Sequence, residues 1–242
     1  MEVLSSGKTS FKVEVPYKLF HTGENRPKPL IVYLHGSGQN IESFEKKMKA
    51  LQAVEAYHLF IQGPYPDFRK IQHRGKWGFG WYLYNGKQGS FIKSLEYTSE
   101  FIQSIIDTVT LRLHVNRLCI IGYSMGAYQA GYFALSRWKH TNDLIMIGGR
   151  VKAESFSEKR LRKCMHMNVI ALHGKDDKTV PVDSQRESLK ILEEQGVPTR
   201  FLELEGDHKM NDDINDVIIS ILSEIGYDII SEFKADDPAS VQ

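Results

Sequence analysis

The feature that most constrains the fold is a serine between two glycines, at the junction of an apolar run and a helical segment. The apolar run, residues 117–121, has the composition of a buried strand, and residues 127–137 have the pattern of a helix that starts with small residues. Between them lies Gly122-Tyr-Ser-Met-Gly126. A serine at a sharp strand-to-helix turn is held in strained backbone geometry with its hydroxyl above the sheet. The glycines are needed because a Cβ there would collide with the neighbouring strand or helix. The pattern predicts a strand–turn–helix unit that exposes the Ser124 hydroxyl.

Strand-like and helix-like segments alternate along the rest of the chain. Apolar runs predict strands at 30–34, 58–61, 144–147, 169–172 and 201–204. Helical spacing predicts helices at 41–56, from 90 onward, at 183–195 and at 212–225. Residues 63–89 are predicted to be irregular, and residues 11–19 alternate as an antiparallel edge strand does. This order implies right-handed crossovers and a mainly parallel sheet covered by helices on both faces.

Composition is that of a globular protein rather than a nucleic-acid or membrane protein. The 242 residues are 41% hydrophobic, and 31 basic residues against 30 acidic ones leave a net charge of +1 without a basic stripe. Nucleic-acid binding therefore has no support. Residues 1–12 have no apolar core of signal-peptide length, and no apolar run approaches a membrane span. Two cysteines, Cys119 and Cys164, are too few for a disulfide framework, so we expect a cytoplasmic protein.

Two further polar residues lie where catalytic partners of Ser124 are expected. A serine hydroxyl becomes a good nucleophile when a histidine takes its proton and a carboxylate orients that histidine. Asp177 follows the predicted strand at 169–172, and His208 follows the last predicted strand. Loops at the carboxyl ends of parallel strands assemble sites of this kind. The order serine, acid, histidine is the order expected, with Asp176 and Asp207 as alternative acids.

These motifs resemble the phospholipase/carboxylesterase family of α/β hydrolases, which includes the acyl-protein thioesterases. The acid of that family lies in a His-Gly-x-x-Asp-x-x-Val-Pro stretch, which residues 173–181 match position for position, and this favours Asp177. Its first oxyanion loop, His-Gly-x-Gly after a strand, matches residues 35–38. The resemblance extends from residue 30 to residue 222. It implies the α/β-hydrolase fold in one domain over residues 1–234, and we expect residues 235–242 to be a flexible tail.

The resemblance also implies roles for backbone groups near the serine. The oxyanion hole is expected to use the N–H groups of Ser37 and Met125, which must point to where negative charge develops. His35 and His173 are interpreted as residues that hold their loops in shape, not as the base. No cofactor and no metal are expected, because no paired metal-ligand spacing occurs in the sequence.

The elbow departs from the family's common Gly-Phe-Ser-Gln-Gly at Tyr123 and Met125. The oxyanion donor after the serine is a backbone N–H, so the chemistry is unaffected by these changes. Residues 209–213 also differ from the small-polar run of the thioesterases. Membership of the thioesterase subgroup is therefore less strongly indicated than membership of the family.

Aromatic residues concentrate in the irregular segment before the long helix. The residues predicted to line an apolar substrate pocket are Trp77, Trp81, Tyr82 and Tyr65, with Phe68 and Met125 as further candidates. The family resemblance supports Trp81 and Tyr82, since a tryptophan followed by an aromatic occurs there in relatives. The alternative is a surface loop pinned by aromatic packing.

Taken together, the sequence predicts a serine esterase that acts on small-molecule carboxylic esters through an acyl-enzyme. The catalytic residues are Ser124, Asp177 and His208. A thioesterase or lysophospholipase of the same family is the closest alternative. A peptidase and a non-catalytic binding protein with this fold are the more distant ones.

Overall fold

The computed structural model describes residues 12–67, 77–209 and 213–231, together with Ser5, Gly7 and Thr9. These residues form the strands β1 (Tyr17–His21), β2 (Lys28–Leu34), β3 (Tyr57–Ile61), β4 (Tyr65–Asp67), β5 (Gly78–Gly80), β6 (Val115–Tyr123), β7 (Asp143–Ile147), β8 (Asn168–Gly174) and β9 (Thr199–Leu204). They also form the α-helices α1 (Ile41–Lys47), α2 (Gln88–Thr110), α3 (Met125–Ser136), α4 (Glu158–Leu161), α5 (Val182–Glu193) and α6 (Ile214–Glu224).

Seven strands form one sheet in the order β1-β3-β2-β6-β7-β8-β9. All neighbouring pairs are parallel except β1 and β3, which are antiparallel at one edge. Hydrophobic clusters lie on both faces of this sheet: α2, α3 and α5 contribute to one, and α1 and α6 to the other. The structure therefore confirms the predicted fold class, a mainly parallel central sheet with helices on both faces.

Burial on both faces explains why the central strands read as continuous apolar runs. In β2, Leu30, Val32 and Leu34 face one hydrophobic cluster, and Ile31 and Tyr33 face the other. Side chains alternate across a strand, so a strand covered by helices on both sides needs apolar residues at every position. The central strands were for this reason the elements easiest to predict.

The helix predicted for residues 41–56 is wrong beyond residue 47. Helix α1 ends at Lys47, and Lys49–Ala53 form a 3₁₀ helix. The buried residues Met48, Leu51 and Val54 recur every third position. A 3₁₀ helix has three residues per turn, so it aligns these side chains toward the core better than an α-helix would.

Residues 63–89 are less irregular than predicted. Strands β4 and β5 pair antiparallel as a separate two-stranded ribbon, and α2 begins at Gln88. The Gly38 N–H donates to the Phe79 carbonyl at 2.9 Å, and the Phe79 N–H donates to the Gln39 carbonyl at 2.9 Å. The ribbon is thus joined to the loop after β2. Strands of three residues are too short for alternation to reveal them.

Two terminal predictions are met only in part. The edge strand predicted for residues 11–19 is β1, which begins at Tyr17, and Phe11 lies outside the described residues. The helix predicted for 212–225 begins at Ile214, and residue 212 lies outside the described residues, as do residues 232–242. Among the residues that are described, no helix has both the length and the apolar character needed to cross a membrane.

Candidate active site

Ser124 lies between β6 and α3 in a strained backbone conformation, with φ 52° and ψ −115°. It is the only non-glycine residue with a positive φ within the described part of the chain. Positive φ in a residue with a side chain costs free energy and persists only where the surrounding structure enforces it. Here close backbone contacts enforce it: a Cβ on Gly122 would come within 2.4 Å of the Gly126 carbonyl oxygen, and one on Gly126 within 2.1 Å of the Leu34 oxygen. The glycines of the elbow are therefore sterically required.

His208 and Asp177 lie beside Ser124 in a continuous hydrogen-bonded chain. The Ser124 Oγ is 2.8 Å from the His208 Nε2, and the His208 Nδ1 is 2.7 Å from the Asp177 Oδ2. Asp177 lies in the loop after β8 and His208 in the loop after β9. Because these strands are parallel neighbours, both loops leave the sheet at the same edge as the elbow.

The Asp177 carboxylate is buried but well satisfied. Its Oδ1 accepts hydrogen bonds from the N–H groups of Thr179 and Val180 at 2.8 and 2.9 Å. Burial alone would raise the pKa of Asp177, but the hydrogen bonds from Val180, His208 and Thr179 outweigh it and hold the pKa below its ordinary value. Asp177 is therefore ionised at neutral pH and can orient the His208 ring.

The two alternative acids are elsewhere. Asp176 and Asp207 are exposed, and the Asp207 Oδ1 accepts from the Lys209 N–H. The structure thus brings Asp177 to His208 through its side chain, whereas neither alternative has a described hydrogen bond to that ring.

His35 and His173 hold their loops. The His35 Nδ1 lies 2.8 Å from the Gly36 carbonyl oxygen, and its Nε2 accepts from the Gly63 N–H at 3.0 Å. Burial lowers the pKa of His35 to about 4, so the ring is neutral and suited to this pattern. The buried His173 donates from Nε2 to the Val180 carbonyl at 2.8 Å, which fixes the loop that carries Asp177.

The two predicted oxyanion donors lie at the same edge of the sheet. Ser37 is in the loop after β2, and Met125 is the first residue of α3. Strands β2 and β6 are parallel neighbours, with Leu34 paired to Gly122, so the loop and the helix start side by side. The Ser37 Oγ donates to the Asp67 Oδ2 at 3.1 Å, which connects this loop to β4.

The predicted pocket residues have different environments. Trp77 is 49% exposed, Tyr65 is partly buried on β4, and Tyr82 packs against Phe91 with ring centroids 4.8 Å apart. Trp81 is fully buried, and its indole N–H donates to the His35 carbonyl at 2.7 Å. A substrate cannot touch a residue without accessible surface, so Trp81 supports the loop after β2 from within the core. Phe68 lies outside the described residues.

The sequence analysis missed the contacts of Tyr123. Its hydroxyl donates to the backbone carbonyl of His208 at 2.9 Å. Its ring also stacks on the His208 imidazole, with centroids 5.7 Å apart and planes 29° apart. The phenylalanine common in the family could provide the ring but not the hydrogen bond. Tyr123 is thus a positioning residue for the His208 loop.

We expect Tyr123→Phe to lower kcat about fivefold with KM nearly unchanged, since one hydrogen bond contributes about 1 kcal/mol. The reason is that the His208 ring would keep its stacking partner but its loop would be less firmly held. Steady-state kinetics on an ester substrate provide the measurement. The matched control is Tyr33→Phe, which removes a buried hydrogen bond to the His58 Nδ1. If both variants lowered only the melting temperature, Tyr123 would have a structural role alone.

No group of three or more His, Cys, Asp or Glu side chains within the described ranges is arranged to hold a metal ion. The polar groups beside Ser124 instead form hydrogen bonds with one another, as described above.

Comparisons with known proteins show the family and the fold. A model of the phospholipase/carboxylesterase family matches residues 15–221. The search of curated proteins found no match. Among solved structures, the esterase PE8 is 19% identical, with a TM-score of 0.71 over 88% of this chain and 100% of that one.

Two other solved structures have the same fold. A carboxylesterase from Mesorhizobium loti is 15% identical, with a TM-score of 0.70 over 86% of this chain and 94% of that one. The Zea mays acyl-protein thioesterase 2 is 16% identical, with a TM-score of 0.66 over 87% of this chain and 99% of that one. Because the family model spans most of the sequence, the chain belongs to the phospholipase/carboxylesterase family of hydrolases.

Proposed function

We propose that the protein hydrolyses carboxylic esters of small molecules through an acyl-enzyme formed on Ser124. The observation that carries this proposal is the chain of two hydrogen bonds, 2.8 and 2.7 Å long, from the Ser124 Oγ through His208 to Asp177. Neither packing nor ligand binding requires a strained serine, a histidine ring and a buried carboxylate in this order. Nucleophilic catalysis requires all three.

In the first half-reaction the Ser124 Oγ attacks the ester carbonyl carbon, and the His208 Nε2 takes the hydroxyl proton. Asp177 holds the proton on Nδ1, so that Nε2 is free to act as the base, and its charge stabilises the imidazolium that forms. The C–O bond to the alcohol then breaks, and His208 donates its proton to the departing alkoxide. The alcohol leaves, and the acyl group remains on Ser124.

The N–H groups of Ser37 and Met125 donate hydrogen bonds to the oxyanion of the tetrahedral intermediate and stabilise its negative charge. The Met125 N–H belongs to the first turn of α3, where the helix dipole is positive and favours an anion. Losing one such donor typically costs about 3–4 kcal/mol of barrier. Since these are backbone groups, the side chains at Ser37 and Met125 can differ from the family without losing them.

In the second half-reaction His208 removes a proton from water, which attacks the acyl-enzyme. The tetrahedral intermediate collapses, Ser124 recovers its proton from His208, and the carboxylic acid leaves. Trp77, Tyr82 and Tyr65 are proposed to contact the apolar part of the substrate. No cofactor or metal takes part in this proposal.

We also propose that the enzyme has a single domain and is cytoplasmic. The two free, buried cysteines support the cytoplasmic location.

A fluorophosphonate probe tests the proposal directly, because it phosphonylates a serine only when a base activates it. The intact protein should gain the mass of one phosphonyl group, which is the probe less HF, mapped by peptide mass spectrometry to Ser124, and Ser124→Ala should gain none. A protein that stays unlabelled while hydrolysing no ester would be a binding protein with this fold.

Thioester cleavage is a second candidate, supported by the resemblance to the Zea mays acyl-protein thioesterase 2. Attack on a thioester uses the same three residues and releases a thiol. Values of kcat/KM for matched esters, thioesters, lysophospholipids and aminoacyl amides, over a range of acyl lengths, separate these activities.

A further inference from the structure

The loop after β7 lies against both the proposed nucleophile and the proposed base. A Cβ placed on Gly148 would lie 3.5 Å from the His208 ring, and one on Gly149 would lie 2.9 Å from the Ser124 carbonyl oxygen. At position 149 a Cβ would also come within 2.3 Å of the Ala127 Cβ, so only glycine fits there. At position 148 a Cβ has room, and it is the positive φ of 53° that favours glycine. The next residue, Arg150, begins one peptide unit away, about 3.8 Å along the backbone. Side chains that follow this glycine pair are thus held at the edge of the proposed active site.

Two of those side chains are cations that share one carboxylate. Arg150 Nη2 and Lys152 Nζ both contact the Oε1 of Glu154, the latter at 2.7 Å. The side chain of Lys152 is only 13% exposed and that of Arg150 is 23% exposed. Charges that are partly withdrawn from water interact more strongly with a counter-ion than fully solvated ones. The cluster of Arg150, Lys152 and Glu154 has a net charge of +1.

The cluster has more hydrogen-bond donors than its carboxylate uses. A guanidinium has five N–H donors and an ammonium has three. Both cations contact the same oxygen of Glu154, and the Lys152 Nζ also lies 6.0 Å from the centroid of the Phe91 ring. The Nε of Arg150 is buried and has no hydrogen-bond partner in the described part of the chain. Because this atom is buried, a substrate cannot reach it. A second anion would instead meet the remaining N–H groups of the two partly exposed side chains.

Tyr128 places this cluster beside the nucleophile. Its N–H donates to the Ser124 carbonyl at 3.3 Å, so it lies one helical turn beyond Ser124. Burial raises the pKa of Tyr128, the positive charge of Arg150 opposes this, and the negative charges of Glu154 and Asp177 add to it. The Tyr128 ring is 6.4 Å from that of Tyr82. The Tyr128 ring therefore lies within electrostatic range of Arg150 and Glu154 and next to Tyr82, a residue of the proposed pocket.

We propose that Arg150 and Lys152 bind an anionic group, a carboxylate or a phosphate, on the ester substrate. The substrate class is then esters that carry a negative charge near the scissile bond, not neutral lipid-like esters. This inference rests on the proposed function, since it assigns specificity to the same site.

The test is a comparison of matched charged and neutral esters. For an anion on the acyl side, the pair is the p-nitrophenyl monoester of adipic acid and its methyl-capped form. For an anion on the alcohol side, the pair is 4-acetoxybenzoate and its methyl ester. In the phosphate arm, 4-acetoxyphenyl phosphate is compared with the same neutral methyl ester. In each arm the quantity measured is the ratio of kcat/KM for the charged ester to kcat/KM for the neutral one. Comparing this ratio between variants removes the intrinsic reactivity of each ester.

We expect Arg150→Gln to lower that ratio at least about tenfold in one arm, since hydrogen bonds to charged groups typically exceed the tenfold value of 1.4 kcal/mol. The control is Arg162→Gln, which removes the same charge from another Arg–Glu pair at i,i+4 spacing. Its partner Glu158 begins helix α4, Arg162 directly follows that helix, and both side chains are exposed. The control should keep the wild-type ratio. The arm that responds shows which side of the ester carries the anion.

Two results would overturn the proposal. One is a ratio in Arg150→Gln equal to that of wild type in every arm, as equal losses on charged and neutral esters would give. The other is the same fall of the ratio in Arg162→Gln. Failure of the proposed function is recognised separately, because it would leave Ser124 unlabelled by the fluorophosphonate. Calorimetric titration with adipate and phenyl phosphate tests the anion site without turnover, and Arg150→Gln should weaken the tighter of the two about tenfold.

Discussion

Ser124→Ala should lower kcat for ester hydrolysis about 10⁶-fold, the loss found when a serine nucleophile of this kind is removed. The alanine variant lacks the oxygen that forms the acyl-enzyme, so only water attack assisted by the remaining groups is left. Rates with a p-nitrophenyl ester, measured against the buffer reaction, give the effect. Residual activity above buffer is expected, because the backbone donors of the oxyanion hole are unchanged.

The loss should not come from unfolding. Alanine keeps the Cβ of serine, so the strained φ of 52° is retained and thermal stability should stay close to wild type. Ser124→Gly, in contrast, relieves the strain and should raise the melting temperature. The matched control is Ser136→Ala at the end of α3, whose hydroxyl donates to the Phe133 carbonyl. Wild-type turnover by Ser124→Ala would refute the proposed mechanism.

The parts of the fold that the sequence predicts are those fixed by short-range patterns. Central strands such as β2 and β7 are apolar at nearly every position because both of their faces are covered. The elbow is recognisable because Gly122 and Gly126 are required by backbone contacts that any Cβ would break. Asp177 could be selected over Asp176 because its loop is a contiguous motif. Each of these features is contained in fewer than ten consecutive residues.

The parts that escaped prediction depend on contacts between distant residues. The Tyr123 hydroxyl meets a carbonyl 85 positions away, and no local pattern indicates that pairing. Trp81 is in the core rather than on a pocket wall because its indole reaches the His35 carbonyl, 46 positions earlier. The two cations at Arg150 and Lys152 are unremarkable in the sequence. Their place beside the proposed site becomes visible only in the structure, where Gly148 lies against His208 and Gly149 against Ser124.

The second large effect on kcat is expected from a substitution of Asp177. Asp177→Asn should lower kcat about 10⁴-fold, the loss known for this change in a serine–histidine–aspartate site. The asparagine amide can donate to Nδ1 of His208, which favours the tautomer with the proton on Nε2. That tautomer cannot accept a proton from the Ser124 hydroxyl. The matched controls are Asp176→Asn and Asp207→Asn, which remove exposed carboxylates nearby and should keep near wild-type kcat.

The pH dependence of the stability of Asp177→Asn, compared with wild type, shows how much the charge of Asp177 contributes to the stability of the fold. The folded pKa of Asp177 lies below its ordinary value of 3.8, so ionised Asp177 stabilises the folded state at any pH above that value. This contribution is lost as the pH falls through the folded pKa, where the carboxylate becomes protonated. The stability difference between wild type and Asp177→Asn, measured by denaturant unfolding, should therefore be constant near neutral pH and shrink in acid. A difference independent of pH would mean that the charge of Asp177 does not contribute to stability, and that its hydrogen bonds to Thr179 and Val180 are equally well made by the neutral side chain.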